Sequence, residues 1–278
     1  MEWKIIHIDE TASTNRWLKE DLAADLHGHT QTIADVGVRN SPLSSAAIND
    51  VHKKNRSSTK DRSVALQSFC VVADYQTAGR GCGTNRWESE RGKNLLFSLL
   101  IHPEDLPANK QFQISMAISL AIVDALGQLV GDLSIKWPND IYWRNGKLAG
   151  ILIENTLKGN LIKESIIGVG LNVNQREFHS DAPNPVSLWQ ITGRETSREQ
   201  LLKDILQAFD NQKDTKGADP LAPRYMQMLY RRKGFHPYTD KNGVFMAQIT
   251  GVEDDGHLLL LDDNGKQRRY AFKEVVFI

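Results

Sequence analysis

The sequence predicts an α+β fold: a mixed or antiparallel central sheet with helices on its faces, followed by a small C-terminal β-barrel. Three observations predict it. Strand-like runs succeed one another at 134–137, 141–143, 148–154 and 165–173, without helices between them. Apolar residues recur at helical spacing over 14–26, over 109–130 and after Ser197. From about residue 233 the pattern is purely strand-like, broken at Asp254-Asp255-Gly256 and Asn264-Gly265, which tolerate positive φ and mark hairpin turns.

The elements follow in order. Residues 3–9 alternate loosely (Trp3, Ile5, Ile6, Ile8) and predict a strand. Over 14–26, Trp17, Leu18, Leu22 and Leu26 form one apolar helical face. Ser13 or Thr14 is the natural N-cap, because a hydroxyl there accepts from an orphan backbone N–H. Residues 39–67 contain six Ser, six Lys or Arg and two Asp, and are expected to be a polar surface insertion. The apolar runs 69–75 and 94–101 predict buried strands. A long amphipathic helix over 109–130 carries Phe112, Ile114, Ile118, Ile122, Ala125, Leu126 and Leu129. Ser197-Arg198-Glu199-Gln200 matches a capping box, and Leu201, Leu202, Ile205, Leu206 and Phe209 continue it as a helix. A last short helix is expected over 225–232. The expected division is 1–232 and 233–278.

Composition narrows the function. A chain of 278 residues can bury a substantial core. Lys+Arg and Asp+Glu both number 34, and this balance argues against a general nucleic-acid binder. Two cysteines are too few for a disulfide framework or a zinc site. No signal peptide and no bilayer-length apolar run is evident, so a cytoplasmic protein is expected.

The stretch GRGCGTNRW, Gly79 to Trp87, follows one predicted strand and leads into another. It lacks the lysine of a P-loop and the following helix of a dinucleotide fingerprint. Its backbone N–H groups can form an anion nest, and Arg80 adds a planar fork suited to carboxylate or phosphate. Glycine clusters are also common in turns, so both readings stand on this stretch alone. Three further clusters bear on the choice. Ser134-Ile-Lys-Trp-Pro-Asn-Asp140 gathers Lys136, Asn139 and Asp140 at a strand end, more than packing requires. Lys147 opens a very apolar strand, LAGILIE, where it either snorkels to solvent or aims at an anionic centre. Asn172 and Asn174 share a face if the strand 165–173 runs through them.

Together, STN (13–15), DYQTAGRG (74–81), KWPND (136–140), GKLAGILIE (146–154) and GVGLNVN (168–174) resemble the biotin–protein ligases in identity and order. The likeness covers most of residues 1–230. It implies a class II synthetase-like catalytic domain with a small SH3-like barrel, which FKEVVF resembles. It implies ATP-dependent activation of biotin to biotinyl-5′-AMP with release of pyrophosphate, then transfer to one lysine of a biotin carboxyl carrier domain. Mg2+ would accompany ATP, with no protein ligand assigned.

The resemblance further implies that Arg80 and Lys147 act as electrostatic catalysts, with the Gly79–Gly81 backbone on the carboxylate and phosphate. Ser13, Thr14, Asn15 and Gln76 would meet the biotin head. Trp87 would wall the adenine or biotin tail. Lys136, Asp140 and Gly150 would shape the site, and Asn172 would face the nucleotide. Cys82 stands where such proteins often carry Arg or Gln, and a thiol is a weak donor. The matching pattern begins within 15 residues of Met1, so a ligase without DNA-binding or repressor function is expected, as monomer or homodimer. A lipoate or octanoate ligase of the same fold is the nearest alternative, and a silent biotin-binding module the next.

Overall fold

The computed structural model describes residues 2–26, 67–83, 85–179, 183–212 and 221–278. The expected insertion at 39–67 therefore lies outside the described residues, apart from Gln67.

Seven strands form the central sheet in the order β1-β2-β3-β7-β6-β5-β4. They are β1 (Trp3–Thr11), β2 (Ser68–Gln76), β3 (Leu95–Ile101), β4 (Leu133–Lys136), β5 (Asp140–Trp143), β6 (Gly146–Lys158) and β7 (Leu161–Leu171). Only β1 and β2 run parallel; every other neighbouring pair is antiparallel, so the sheet is mixed as predicted. β2 shows why the sheet is covered on both sides. Phe69 and Val71 point to one core with Ile8, Leu100 and Ile166, whereas Cys70 and Val72 point to the other. Helix α1 (Thr14–Leu26) closes the first face with Leu18 and Leu22.

Helix α2 (Phe112–Leu126) lies on the opposite face. Its sequence predicts an amphipathic helix, but the helix is buried nearly all round: Gln113 and Asp124 are its only residues outside the buried set. A helix apolar all round must be enclosed, and α4 (Arg198–Asn211) and α5 (Leu221–Met228) pack over it. Asp124, one of the two exceptions, accepts from Arg224 at 2.9 Å and Gln212 at 3.1 Å, tying α2 to α5. The helix is shorter than the predicted 109–130. A 3₁₀ turn occupies Ala108–Lys110, and Leu129 is exposed beyond Gly127.

Local capping also differs from the prediction. Ser197 accepts from the Gln200 N–H at 3.2 Å, but the Gln200 side chain turns to Asp204 instead of reaching back. The complete reciprocal box sits at Ser187 and Gln190, where it opens the short helix α3 (Leu188–Thr192), absent from the sequence reading. Helix α5 ends before the predicted 232 because the chain leaves it to join the sheet: Tyr230 N–H donates to Ile135 O at 2.8 Å.

The C-terminal segment forms a five-stranded antiparallel sheet in the order β11-β10-β9-β8-β12. Its strands are β8 (His236–Asp240), β9 (Gly243–Val252), β10 (Leu258–Asp262), β11 (Gln267–Tyr270) and β12 (Val276–Phe277). Gly256 and Gly265 take φ of 95° and 78°, as the hairpin turns require. β11 and β12 stand at opposite ends of the order, and this antiparallel sheet is consistent with the expected SH3-like domain, without a closed ladder. The sheet is docked on the first unit. The Trp137 indole N–H donates to Gly256 O at 2.9 Å, and Tyr238, Leu258 and Leu260 join the core that holds α2.

Candidate functional site

A cleft of about 410 Å³ opens between α1, the glycine loop, the β4–β5 hairpin, the middles of β6 and β7, and the turn before β12. Its floor is glycine. Gly150 of β6 pairs directly with Gly170 of β7, and Gly168 lies two residues upstream on the same face. A Cβ at Gly170 would overlap the Trp87 indole, and one at Gly168 would overlap the Asn15 amide. Gly168 and Gly170 belong to the GVGLNVN motif, whose resemblance assigns a role only to Asn172. Alternate glycines inside a strand are the signal, since they weaken a strand and mark close approach.

One end of the cleft is a buried polar network. The Thr14 N–H is an orphan donor at the start of α1, and the Gln76 side-chain oxygen from β2 accepts it at 2.8 Å. Thr14 hydroxyl and Asn15 Oδ1 each lie 2.6 Å from the Ser98 hydroxyl of β3. Asn15 Nδ2 donates to Glu154 Oε2 at 2.9 Å, and Glu154 faces Arg80 at 3.6 Å. Ser13 is buried beside them. Ser98 is fully buried, and no local pattern in the apolar run 94–101 distinguishes it.

The other end is cationic. Lys147 Nζ lies 2.7 Å from Asp140 Oδ1 and 5.9 Å from the Trp87 ring centroid. Thus the lysine is turned into the cleft rather than snorkelling outward. Lys136 donates to the Tyr142 hydroxyl at 3.0 Å. Burial pushes its ammonium below the ordinary lysine range, against the opposing pull of Asp140. Burial, reinforced by Asp140, pushes Tyr142 up to about 12, so the hydroxyl stays neutral and can accept from the lysine. Cys82 lies at the rim, where burial raises its thiol above the usual range and favours the unreactive protonated form.

The structure brings Ser13, Thr14, Asn15, Gln76, Arg80, Gly81, Cys82, Trp87, Lys136, Asp140, Lys147 and Gly150 to this one cleft. Two predicted residues do not line it. Gly79 is a packing glycine: a Cβ there would fall 2.6 Å from the Trp87 carbonyl, and its own carbonyl accepts from the Trp87 N–H at 3.0 Å. Asn172 is buried and donates to Val186 O at 3.1 Å and Lys147 O at 3.4 Å. β7 ends at Leu171, so the alternation that puts Gly168 and Gly170 on the cleft face stops one residue short. Asn172 supports the backbone of Lys147 instead. Asn174 likewise exchanges two bonds with Thr196.

The KWPND cluster divides by role. Lys136 and Asp140 line the cationic end of the cleft. Asn139 locks the hairpin onto β6, donating to Ile151 O at 2.7 Å. The C-terminal sheet adds Phe272, Lys273 and Phe277 to the rim, residues distant in sequence from the other site clusters.

Comparison with known proteins bears on this cleft. A family model described as the biotin/lipoate A/B protein ligase family matches residues 50–172. The chain is 33% identical over 221 residues to the bifunctional ligase/repressor BirA of Bacillus subtilis, a match covering 74% of this chain and 66% of that protein. It is 32% identical over 217 residues to the biotin–[acetyl-CoA-carboxylase] ligase of Paracoccus denitrificans, covering 72% of this chain and 87% of that one. The structure of the Aquifex aeolicus biotin protein ligase in complex with biotin and ATP matches with a TM-score of 0.68, over 99% of this chain and 98% of that chain. At 22% identity, that likeness speaks for the fold.

Proposed function

The chain belongs to the biotin–protein ligase family, a family of ligases, and we propose that it activates biotin with ATP and transfers it to a lysine of a biotin carboxyl carrier domain. The observation that carries this reading is the pairing of two ends in one cleft. A polar pocket built from Thr14, Asn15, Gln76 and Ser98, with Arg80 at its edge through Glu154, lies in the same cleft as a cationic end built from Lys136 and Lys147. A small acid with a polar head and a carboxylate tail fits that polarity.

The chemistry needs these charges. When the biotin carboxylate attacks the α-phosphate of ATP, two anions approach and more charge gathers on the bridging oxygens. In this reading Arg80 and Lys147 are the fixed cations that offset that repulsion, and in a partly desolvated cleft each counts for more than in water. Biotinyl-5′-AMP and pyrophosphate result. The carrier lysine then attacks the mixed anhydride and AMP leaves. Asp140 is the only carboxylate among the described lining residues. A Mg2+ ion arriving with the triphosphate would find one protein oxygen there, which suits an ion that keeps waters and phosphate oxygens as its main ligands. In this reading residues 1–232 carry the chemistry, and residues 233–278 close one side of the cleft.

Transfer to a carrier domain separates this reading from its nearest rival. Incubating the chain with ATP, Mg2+ and a purified biotin carboxyl carrier domain should label the carrier when biotin is the acid. Labelling with lipoate or octanoate alone would move the chain to the lipoate side of the family, and binding of biotin without any labelling would leave a silent binding module.

A further inference from the structure

The C-terminal sheet reaches the cleft through one tight turn. Residues 271–275 connect β11 to β12, and the turn is held at both ends. Glu274 N–H donates to Ala271 O at 3.2 Å, while the Glu274 carboxylate accepts from Ala271 N–H at 2.8 Å. Val275 anchors it in the core. Within this frame Lys273 takes φ of 69°, a left-handed conformation that costs a non-glycine residue on the order of 1 kcal/mol.

The strained backbone aims the side chain at the glycine loop. A Cβ at Gly83 would overlap the Lys273 ammonium. Burial pushes the Cys82 thiol up, and the Lys273 charge is the strongest pull in the other direction. Cys82 and Gly83, the loop positions beside this ammonium, bring no charge of their own. Of the other cleft cations, Arg80 faces Glu154, Lys147 holds Asp140 and Lys136 donates to Tyr142, while Arg86 sits elsewhere on the same loop. Among the described residues no carboxylate lies within ion-pair distance of Lys273. A lysine fixed in a costly conformation, beside a glycine-rich loop and facing the same cleft as other cations, lacks an anion.

We propose that Lys273 binds the β- and γ-phosphates of the nucleoside triphosphate, so that the C-terminal sheet supplies a cation to the leaving pyrophosphate across the glycine loop. This rests on the ligase reading for the identity of the nucleotide. The geometry asks only for a polyphosphate. Gly83 at φ 72° keeps the approach open, because any side chain there would displace the ammonium.

Titration calorimetry on the full chain tests it, with Mg-ATP, inorganic pyrophosphate and biotin as separate probes. The proteins are wild type, Lys273→Met and Lys273→Arg. Lys273→Met should weaken ATP and pyrophosphate roughly tenfold, the scale of one charge-assisted hydrogen bond at a solvent-exposed mouth. Biotin affinity should stay within about twofold, and Lys273→Arg should recover most of the ATP affinity because a guanidinium also binds phosphate. Equal ATP affinity in wild type and Lys273→Met would overturn the proposal. So would a parallel loss of ATP and biotin, which would make the lysine a support for the loop alone. If wild type released no pyrophosphate with biotin, yet ATP binding still depended on Lys273, the ligase reading would fall and the phosphate site would stand.

Discussion

Ser98→Ala is a perturbation whose size can be worked from the structure. Ser98 is fully buried on β3, and its hydroxyl lies 2.6 Å from both Thr14 Oγ1 and Asn15 Oδ1. Alanine removes that hydroxyl without opening a large void. Thr14 keeps its link to Gln76, but Asn15 Oδ1 loses its bond from Ser98 in a site with little access to water. An unsatisfied buried acceptor costs about 1–3 kcal/mol. At about 2 kcal/mol, a chain of this size should lose roughly 4–8 °C in Tm. Asn15 also holds Glu154, which faces Arg80. Losing the register of this chain of contacts should raise KM for biotin about tenfold while KM for ATP changes little. Calorimetry and steady-state pyrophosphate release read the two effects. A double-mutant cycle with Asn15→Ala should show coupling on the order of 1 kcal/mol, since the residues touch. Additive effects, with KM for biotin unchanged in Ser98→Ala, would refute the claim that the network orders the pocket.

Other outcomes follow from the same geometry. Lys147→Ala should cut kcat for pyrophosphate release about 10²–10³-fold, the scale of losing one preorganised charge at a developing anion, and a loss under tenfold would remove the lysine from that role. Gly170→Ala should displace the Trp87 indole from the cleft floor. Among the described residues the buried indole N–H has no hydrogen-bond partner to lose, so stability should change by less than about 1 kcal/mol. KM for biotin should rise, and a Tm loss above about 5 °C would contradict this. Lys266 N–H, followed by Arg268 and Asn264 N–H, holds the Asp262 carboxyl below the usual carboxylate range. Its ionised form is therefore favoured by folding, and that stability is present above about pH 4 and lost as pH falls toward the lowered folded value. Asp262→Asn should flatten the acid limb of a Tm–pH curve, and an unchanged limb would count against the contribution.

The central sheet was legible because its strands are continuous apolar runs and its hairpins carry Pro, Asn, Asp and Gly at their turns. The polar site was legible as clusters: STN, GRG, KWPND and GKLAG each sit at an element end, where side chains escape packing. What stayed hidden depends on distance in sequence or on where an element stops. Ser98 looks like any serine in a buried strand, and only α1 crossing above it gives it partners. The bonds of Asn172 to Val186 O and Lys147 O were hidden because they depend on where β7 ends and on a segment that follows it in the chain. Lys273 was invisible because the final strand-like run is in fact two strands with a turn between them, and the turn points at a loop nearly two hundred residues away. Enclosure of α2 was also beyond reach, since it rests on α4 and α5 packing from far along the chain.

The measurement that bears most directly on the account is pyrophosphate release from Mg-ATP by the purified chain, with biotin, with lipoate and with no added acid. The cleft described here predicts release that requires biotin and is near background with the other two. Release that needs lipoate, or that proceeds equally without any acid, would contradict it.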